Sequence, residues 1–340
     1  HTRNVLVINP NKTGNGSIQS SYKINESRFG NGNELNSDEF GSQFSQIGDL
    51  DGNGVVDMAV GEWLNDDGGD NNGAVWILFM NSNSSVKSSY KINESRFGNK
   101  DELSGDQLGS AVANIGDLNN DGVQDIVVGE YFSDDGGVNN GAVWIFFLNS
   151  TGGAINATKI NASSFGNGSE ISAGGQFGNS VGNIGDLDKD GVQDLAVGET
   201  LSDDGGTDNG AVWIFFMNSN GSIKSNYKIN ESRFGNGNEL SGDFFGSTIA
   251  EIGDLDNDGF NDLGIGEYAS DDGGADGSDI GAVWIFFMNT NGSIKSSYKI
   301  NESRFGSGNE LEAGDLFGNG LSSIGDLDNN GIQDIAVGMA

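Results

Sequence analysis

Apolar positions along this chain fall in short runs separated by polar gaps, and no stretch shows the three-to-four spacing of an amphipathic helix. Four kinds of run recur in a fixed order. One leads into "IGDL". A second, of the type "DLAVGE" at Asp194, is built from β-branched and small apolar residues. A third, "GAVWIFF" at Gly210, is apolar on both faces, which predicts a strand buried in the middle of a sheet. A fourth, "IKSSYKI" at Ile294, alternates polar and apolar residues and predicts a half-exposed strand. Gly, Asn, Asp and Ser fill the gaps, as turns require.

The order repeats. "IGDLDNDGFNDLGIGE" at Ile252 has counterparts at Ile47, Ile115, Ile184 and Ile324, whose first aspartates are 68, 69, 68 and 72 residues apart in turn. "GAVWIFF"-like runs start at Gly73, Gly141, Gly210 and Gly281, and "YKINESRFG" or a variant lies near residues 22, 90, 159, 227 and 298. One four-stranded sheet per long repeat predicts an all-β, five-bladed β-propeller in a single domain, residues 1–340. The coils of a parallel β-helix, the rival, are much shorter than this period. The expected blades cover about 39–94, 107–162, 176–231 and 244–302. The fifth is shared between about 316–340 and 4–26, because the C-terminal stretch reads as the first two strands and "NVLVI" with "IQSSYKI" as the last two. Pairing within one chain closes a ring. Pairing with the next chain is strand donation and self-assembly into a filament.

The acidic loop carries the candidate chemistry. Numbered from its first aspartate, it places oxygen-bearing side chains at positions 1, 3, 5 and 9, a glycine at 6, and an apolar residue at 7 whose backbone carbonyl is free to face an ion. The five sets are Asp49, Asp51, Asn53, Val55, Asp57; Asp117, Asn119, Asp121, Val123, Asp125; Asp186, Asp188, Asp190, Val192, Asp194; Asp254, Asp256, Asp258, Phe260, Asp262; and Asp326, Asp328, Asn330, Ile332, Asp334. Asn53, Asn119 and Asn330 keep an oxygen while losing a charge, so no loop drops a ligand. Oxygen-only donors with a turn glycine suit Ca²⁺, which accepts six to eight oxygens in irregular geometry, better than Mg²⁺, which keeps its waters. About five Ca²⁺ sites are expected, in a strand–loop–strand setting rather than the helical one of an EF-hand. Without a cation these carboxylates repel one another.

The loop, with a Phe-Gly pair before it and "AVG" after it, resembles the FG-GAP repeats of integrin α-subunit β-propellers. The pairs are Phe40-Gly41, Phe177-Gly178, Phe245-Gly246 and Phe317-Gly318, with Leu108-Gly109 as the exception. The resemblance covers all five repeats and implies an extracellular, calcium-holding propeller in adhesion or recognition. Two departures limit it: "VGE" stands where that family has Gly-Ala-Pro, and there are five units where integrins have seven.

A formal net charge of −34 with 16 basic residues argues against nucleic acid or an anionic membrane surface as partner, and for bound cations. There is no cysteine, hence no disulfide framework or thiol chemistry, and no apolar run long enough for a membrane span. The start at His1 fits a mature form after signal removal or an incomplete N-terminus. Sequons stand at Asn11, Asn15, Asn25, Asn83, Asn93, Asn149, Asn156, Asn161, Asn167, Asn220, Asn230, Asn291 and Asn301, which makes N-linked glycans an expectation, although an Asn- and Ser-rich repeat also writes sequons by chance. Trp76, Trp144, Trp213 and Trp284 read as inter-blade core, with sugar-stacking platforms as the alternative. The "DDGG" loops and Glu62, Glu130, Glu199 and Glu267 read as polar hairpin loops, with further cation or sugar sites as the alternative. Glu26, Glu94, Glu231 and Glu302 read as ion-pair partners of Arg28, Arg96, Arg233 and Arg304, both members changing together to Ala162 and Ser164 in the third repeat. The only histidine is His1, and no acid is set apart from the repeats, so no enzyme is expected. The reading is a calcium-stabilised extracellular glycoprotein with a structural or adhesive role, a possible subunit of a surface assembly. A lectin-like module recognising a glycan or extracellular protein is the alternative, and a glycoside-active enzyme stands behind both.

Overall fold

The computed structural model describes residues 5–10, 18–25, 39–67, 69–94, 105–166, 170–234, 240, 242–271, 279–305 and 311–339. Among them the architecture is nearly all-β: four-stranded antiparallel sheets in series, the blade arrangement of a β-propeller. Each sheet is a meander in chain order. The first comprises β3 (Phe40–Gln46), β4 (Met58–Glu62), β5 (Ala74–Met80) and β6 (Val86–Ile92). The second comprises β7 (Val112–Gly116), β8 (Asp125–Glu130), β9 (Ala142–Leu148) and β10 (Ala154–Ile160). The third comprises β11 (Phe177–Gly185), β12 (Asp194–Glu199), β13 (Ala211–Met217) and β14 (Ile223–Ile229). The fourth comprises β15 (Phe245–Glu251), β16 (Leu263–Glu267), β17 (Ala282–Met288) and β18 (Ile294–Ile300).

Two further sheets, near the two ends of the chain, are two-stranded. β1 (Val5–Pro10) pairs with β2 (Ile18–Ile24), and β19 (Gly320–Gly325) with β20 (Asp334–Gly338). Each copies its counterpart in detail. Val5 faces Ile24 as Val212 faces Ile229, and the register slips between Asn9 and Pro10 where it slips between Phe216 and Met217. Likewise Gly325 faces Asp334 as Gly185 faces Asp194.

By contacts the chain forms two compact units, His1–Ser133 with Trp144–Thr158, and Asp134–Val143 with Lys159–Ala340. In the first, Val75, Ile77 and Phe79 of β5 pack with Ile126 and Val128 of β8 and Trp144 and Phe146 of β9. In the second, Val212, Ile214 and Phe216 of β13 pack with Leu263 and Ile265 of β16 and Trp284 and Phe286 of β17. The all-apolar third strands are buried along their length, and in β5 Val75, Ile77 and Phe79 face one apolar cluster while Trp76, Leu78 and Met80 face another with Val5 and Ile24. The fourth strands keep an exposed centre, as their alternation predicts.

Glycines set the blade spacing. A Cβ on Gly61 of "VGE" would overlap the carbonyl oxygen of Gly109, the glycine of the next blade's Leu-Gly pair. Gly109 itself has φ of +94° and lies against the carbonyl of Ala74. The residue before it, Leu108, bridges in parallel to Gly73. Gly198 and Gly246, and Gly266 and Gly318, repeat the arrangement. The Phe-Gly pair is thus a backbone docking element. Its aromatic member fills a closed hole, and fully buried Leu108 fills the same place without the ring.

Candidate calcium loops

Each acidic loop joins the first and second strands of its blade, and all five have one hydrogen-bond plan. The position 1 carboxylate accepts the N–H of position 5 through one oxygen, at 2.9–3.0 Å, and of the position 6 glycine through the other, at 2.7–2.8 Å. Position 3 also accepts from the position 5 N–H, and position 5 accepts from the N–H of position 7. The chain therefore winds around its own carboxylates. That winding puts position 6 at φ between +83° and +92° (Gly54, Gly122, Gly191, Gly259, Gly331), a region where a side chain is strained, and this is why the sequence keeps glycine there.

Position 9 is anchored differently. Asp57 Oδ2 accepts the N–H of Leu50 in its own loop and Oδ1 that of Met80 at the end of β5, both at 2.9 Å. Asp125, Asp194 and Asp262 do the same with Leu118 and Leu148, Leu187 and Met217, and Leu255 and Met288. These four are buried. Burial pushes their carboxyls up, Asp125 and Asp194 to about 7 and Asp262 to about 6, against the backbone N–H groups that pull them down, while neighbouring aspartates push further. Such a cluster is short of positive charge. In four loops the carboxylates of positions 1, 3 and 9 gather with oxygens within 4.8 Å of one another, as Asp49, Asp51 and Asp57 do. In the remaining loop Asn119 takes position 3.

Lysines approach three loops. Lys87 Nζ lies 2.6 Å from Asp51, Lys224 Nζ 2.6 and 2.5 Å from Asp188 and Asp190, and Lys295 Nζ 2.6 and 2.7 Å from Asp256 and Asp258.

A second repeated constellation escapes the sequence reading. The glutamate of "VGE" is a buried acceptor, not part of a polar loop. Glu62, Glu130, Glu199 and Glu267 each accept the indole N–H of their blade's tryptophan, at 2.6–2.9 Å. Lys91, Lys228 and Lys299 reach Glu62, Glu199 and Glu267 at 2.8–3.1 Å, and their Nζ lies 4.9–5.1 Å from the indole centre. Lys91 and Lys228 also bind the second aspartate of "DDGG", Asp67 and Asp204. The first aspartate ties its own loop, as Asp66 does in accepting from Asn71 N. Glu231 and Glu302 accept the N–H of Leu240 and Leu311, and Arg233 and Arg304 lie over Tyr227 and Tyr298, so each member of these two expected ion pairs has an anchor of its own. Glu26, Arg28 and Arg96 lie outside the described residues.

The sequons fall into classes. Asn83, Asn156, Asn220 and Asn291 are exposed; Asn25, Asn149, Asn161, Asn230 and Asn301 are half-buried; Asn93 is buried; Asn11, Asn15 and Asn167 lie outside the described residues. No helix among the described residues is long and apolar enough to cross a membrane.

Comparison with known proteins agrees with this geometry. The FG-GAP repeat family model matches residues 108–146 and 177–215, each running from the Leu-Gly or Phe-Gly pair through the acidic loop into the third strand. Integrin alpha-4 of Xenopus laevis is 36% identical over 154 residues, 45% of this chain and 13% of that protein. Human integrin alpha-6 is 35% identical over 157 residues, 45% of this chain and 12% of the relative. Integrin alpha-5 of Xenopus laevis is 30% identical over 236 residues, 68% of this chain and 20% of the relative. The matched stretch is thus a small part of each relative's length. The chain carries FG-GAP repeats and is similar, over that stretch, to integrin alpha subunits.

Proposed function

We propose that this protein is a calcium-stabilised extracellular β-propeller with an adhesive or structural role, in which each acidic loop holds one Ca²⁺. The observation that carries the reading is the shared plan of the five loops: oxygen-only donors at positions 1, 3, 5 and 9, wound by the same backbone bonds. The donor set fits a hard divalent cation, and a lysine ammonium already stands beside positions 3 and 5 in two loops. The position 7 carbonyls of Val55, Val123, Val192, Phe260 and Ile332 complete the proposed sets. Calcium would supply charge neutralisation and a cross-link from the loop to β5 and its counterparts through position 9, in a chain without disulfides. The extracellular setting follows the likeness to integrin alpha subunits.

The partner in this reading is an extracellular protein, a glycan or a further copy of the chain. Sugar stacking on the repeated tryptophans finds no support, since Trp76, Trp144, Trp213 and Trp284 are 3–7% exposed. Self-association through the N-terminal strands is included, because Leu6 and Ile8 of β1 are 56% and 47% exposed where their counterparts are buried.

Thermal melting after verified metal removal tests the reading. A ligand bound only to the folded state at a hundredfold excess over its Kd adds about 2.7 kcal/mol per site. The melting temperature should fall by more than 10 °C in chelator and return with Ca²⁺, while light scattering of the same samples reads assembly. An unchanged melt overturns the calcium reading.

A further inference from the structure

The three loop lysines share one structural address. Lys87, Lys224 and Lys295 are each the second residue of their blade's fourth strand. Their side chains are 40–46% exposed, so each has solvent to swing into. The number of contacts follows the loop's charge. Where positions 3 and 5 are both aspartate, as in the loops at Asp186 and Asp254, the ammonium bridges the two. Where position 5 is Asn53, Lys87 meets position 3 alone. In the loop at Asp117 the strand position holds Ile155, 60% exposed, and position 3 is itself neutral. There Asn119 Nδ2 donates to Asp121 Oδ2 at 2.9 Å, supplying from within the loop the donor that lysine supplies elsewhere. In the four complete blades the lysine is present where position 3 is aspartate and absent where it is asparagine.

An ammonium is a flexible, strongly hydrated point charge that leaves a carboxylate pair more readily than a bidentate guanidinium does. Two carboxylate oxygens converging on Nζ are the oxygens that positions 3 and 5 would turn toward a metal.

We propose that Lys87, Lys224 and Lys295 are resident counter-cations of the loops at Asp49, Asp186 and Asp254, holding position 3, and in the last two loops position 5 as well, until a divalent cation displaces them, so that these loops bind metal by exchange while the loop at Asp117 binds it directly. This rests on the calcium reading above. Its consequence is a division of labour. The exchange loops keep their shape when metal is scarce and bind Ca²⁺ more weakly. The directly binding loop depends on the metal for its charge balance.

The test is Ca²⁺ titration by calorimetry with chelator competition, starting from the metal-loaded full chain. It compares the wild type, the triple variant Lys87→Gln/Lys224→Gln/Lys295→Gln, and Ile155→Lys. Removing a unit charge a few ångströms from an exposed site changes affinity by about fivefold to tenfold. In the triple variant three binding events should tighten by that factor. Its melting temperature should drop in chelator and hold steady in saturating Ca²⁺. Ile155→Lys should weaken one event by the same factor, and it keeps the test open if the triple variant folds only with metal. Isotherms unchanged in both variants, with wild-type binding intact, overturn the exchange proposal alone. A wild type that takes up no Ca²⁺ overturns the calcium reading and this inference with it.

Discussion

At the scale of single residues, the winding of the acidic loops was legible because all their acidic and amide side chains sit within nine residues, and spacing in sequence there equals geometry in space. Asp49 and Gly54 meet five residues apart. The buried glutamates were not legible, since Glu62 meets its tryptophan 14 residues away across a strand pairing, and a lone glutamate beside a glycine reads as loop. One of them, Glu267, is also where pH acts. Burial pushes the Glu267 carboxyl well above its usual range, with Asp243 pushing the same way and Lys299 pulling it down. A carboxyl raised by folding holds its proton where the unfolded chain has lost it. It therefore favours the folded state fully below the unfolded value of about 4.3, and that contribution is lost as pH rises through the raised value. Glu267→Gln, which cannot ionise, should flatten the fall in melting temperature as pH rises above the ordinary carboxylate range, measured in excess Ca²⁺. A curve parallel to wild type would show that Glu267 is ionised throughout that rise.

At the scale of the blade, strand types and order could be read from the sequence, because the all-apolar third strand and the alternating fourth differ in pattern. What pattern cannot give is the tie between strands. Val197 faces Trp213 in the register of β12 and β13, which brings the neighbouring Glu199 to the indole N–H. One signal was present: Leu6 stands at the tryptophan position and Met339 at the glutamate position of the end strands, so both polar members of the tie vanish together. Trp213→Leu alone would strand Glu199 without its indole donor and should cost about 3 kcal/mol. Adding Glu199→Met should recover at least about 1 kcal/mol of it, read as coupling in a double-mutant cycle by urea unfolding in Ca²⁺. Strict additivity would mean that the tie is two independent contacts.

At the scale of the whole molecule, a net charge of −34 makes self-repulsion a cost to the folded chain, and it sets the chemistry of the surface. The sequons are the other surface feature, and their number was plain in the sequence while their accessibility was not. Asn220 is exposed in the turn after β13, with the Ser222 hydroxyl donating to its Oδ1 at 2.7 Å, and Asn83 and Asn291 repeat this with Ser85 and Ser293. Asn93 is 6% exposed and has no room for a glycan. Glycopeptide mapping of protein from its native source should find occupancy at Asn83, Asn220 and Asn291, none at Asn93, and an intact mass above 35.5 kDa. Bare asparagine at all three turns would remove the glycoprotein reading.

The glycine contacts between blades have a consequence for how such a chain changes over time. At Gly61 and Gly109, Gly198 and Gly246, and Gly266 and Gly318, one blade meets the next glycine to glycine through main-chain atoms, and at the last two a hydroxyl, of Ser180 or Thr248, donates to the facing carbonyl. A joint made of backbone is the same joint wherever it occurs. A duplicated or deleted unit then arrives with a fitting edge on both sides, and side chains elsewhere are free to drift without spoiling the fit. The gene can lengthen or shorten by whole repeats through unequal crossing-over, with no new interface to invent at the splice.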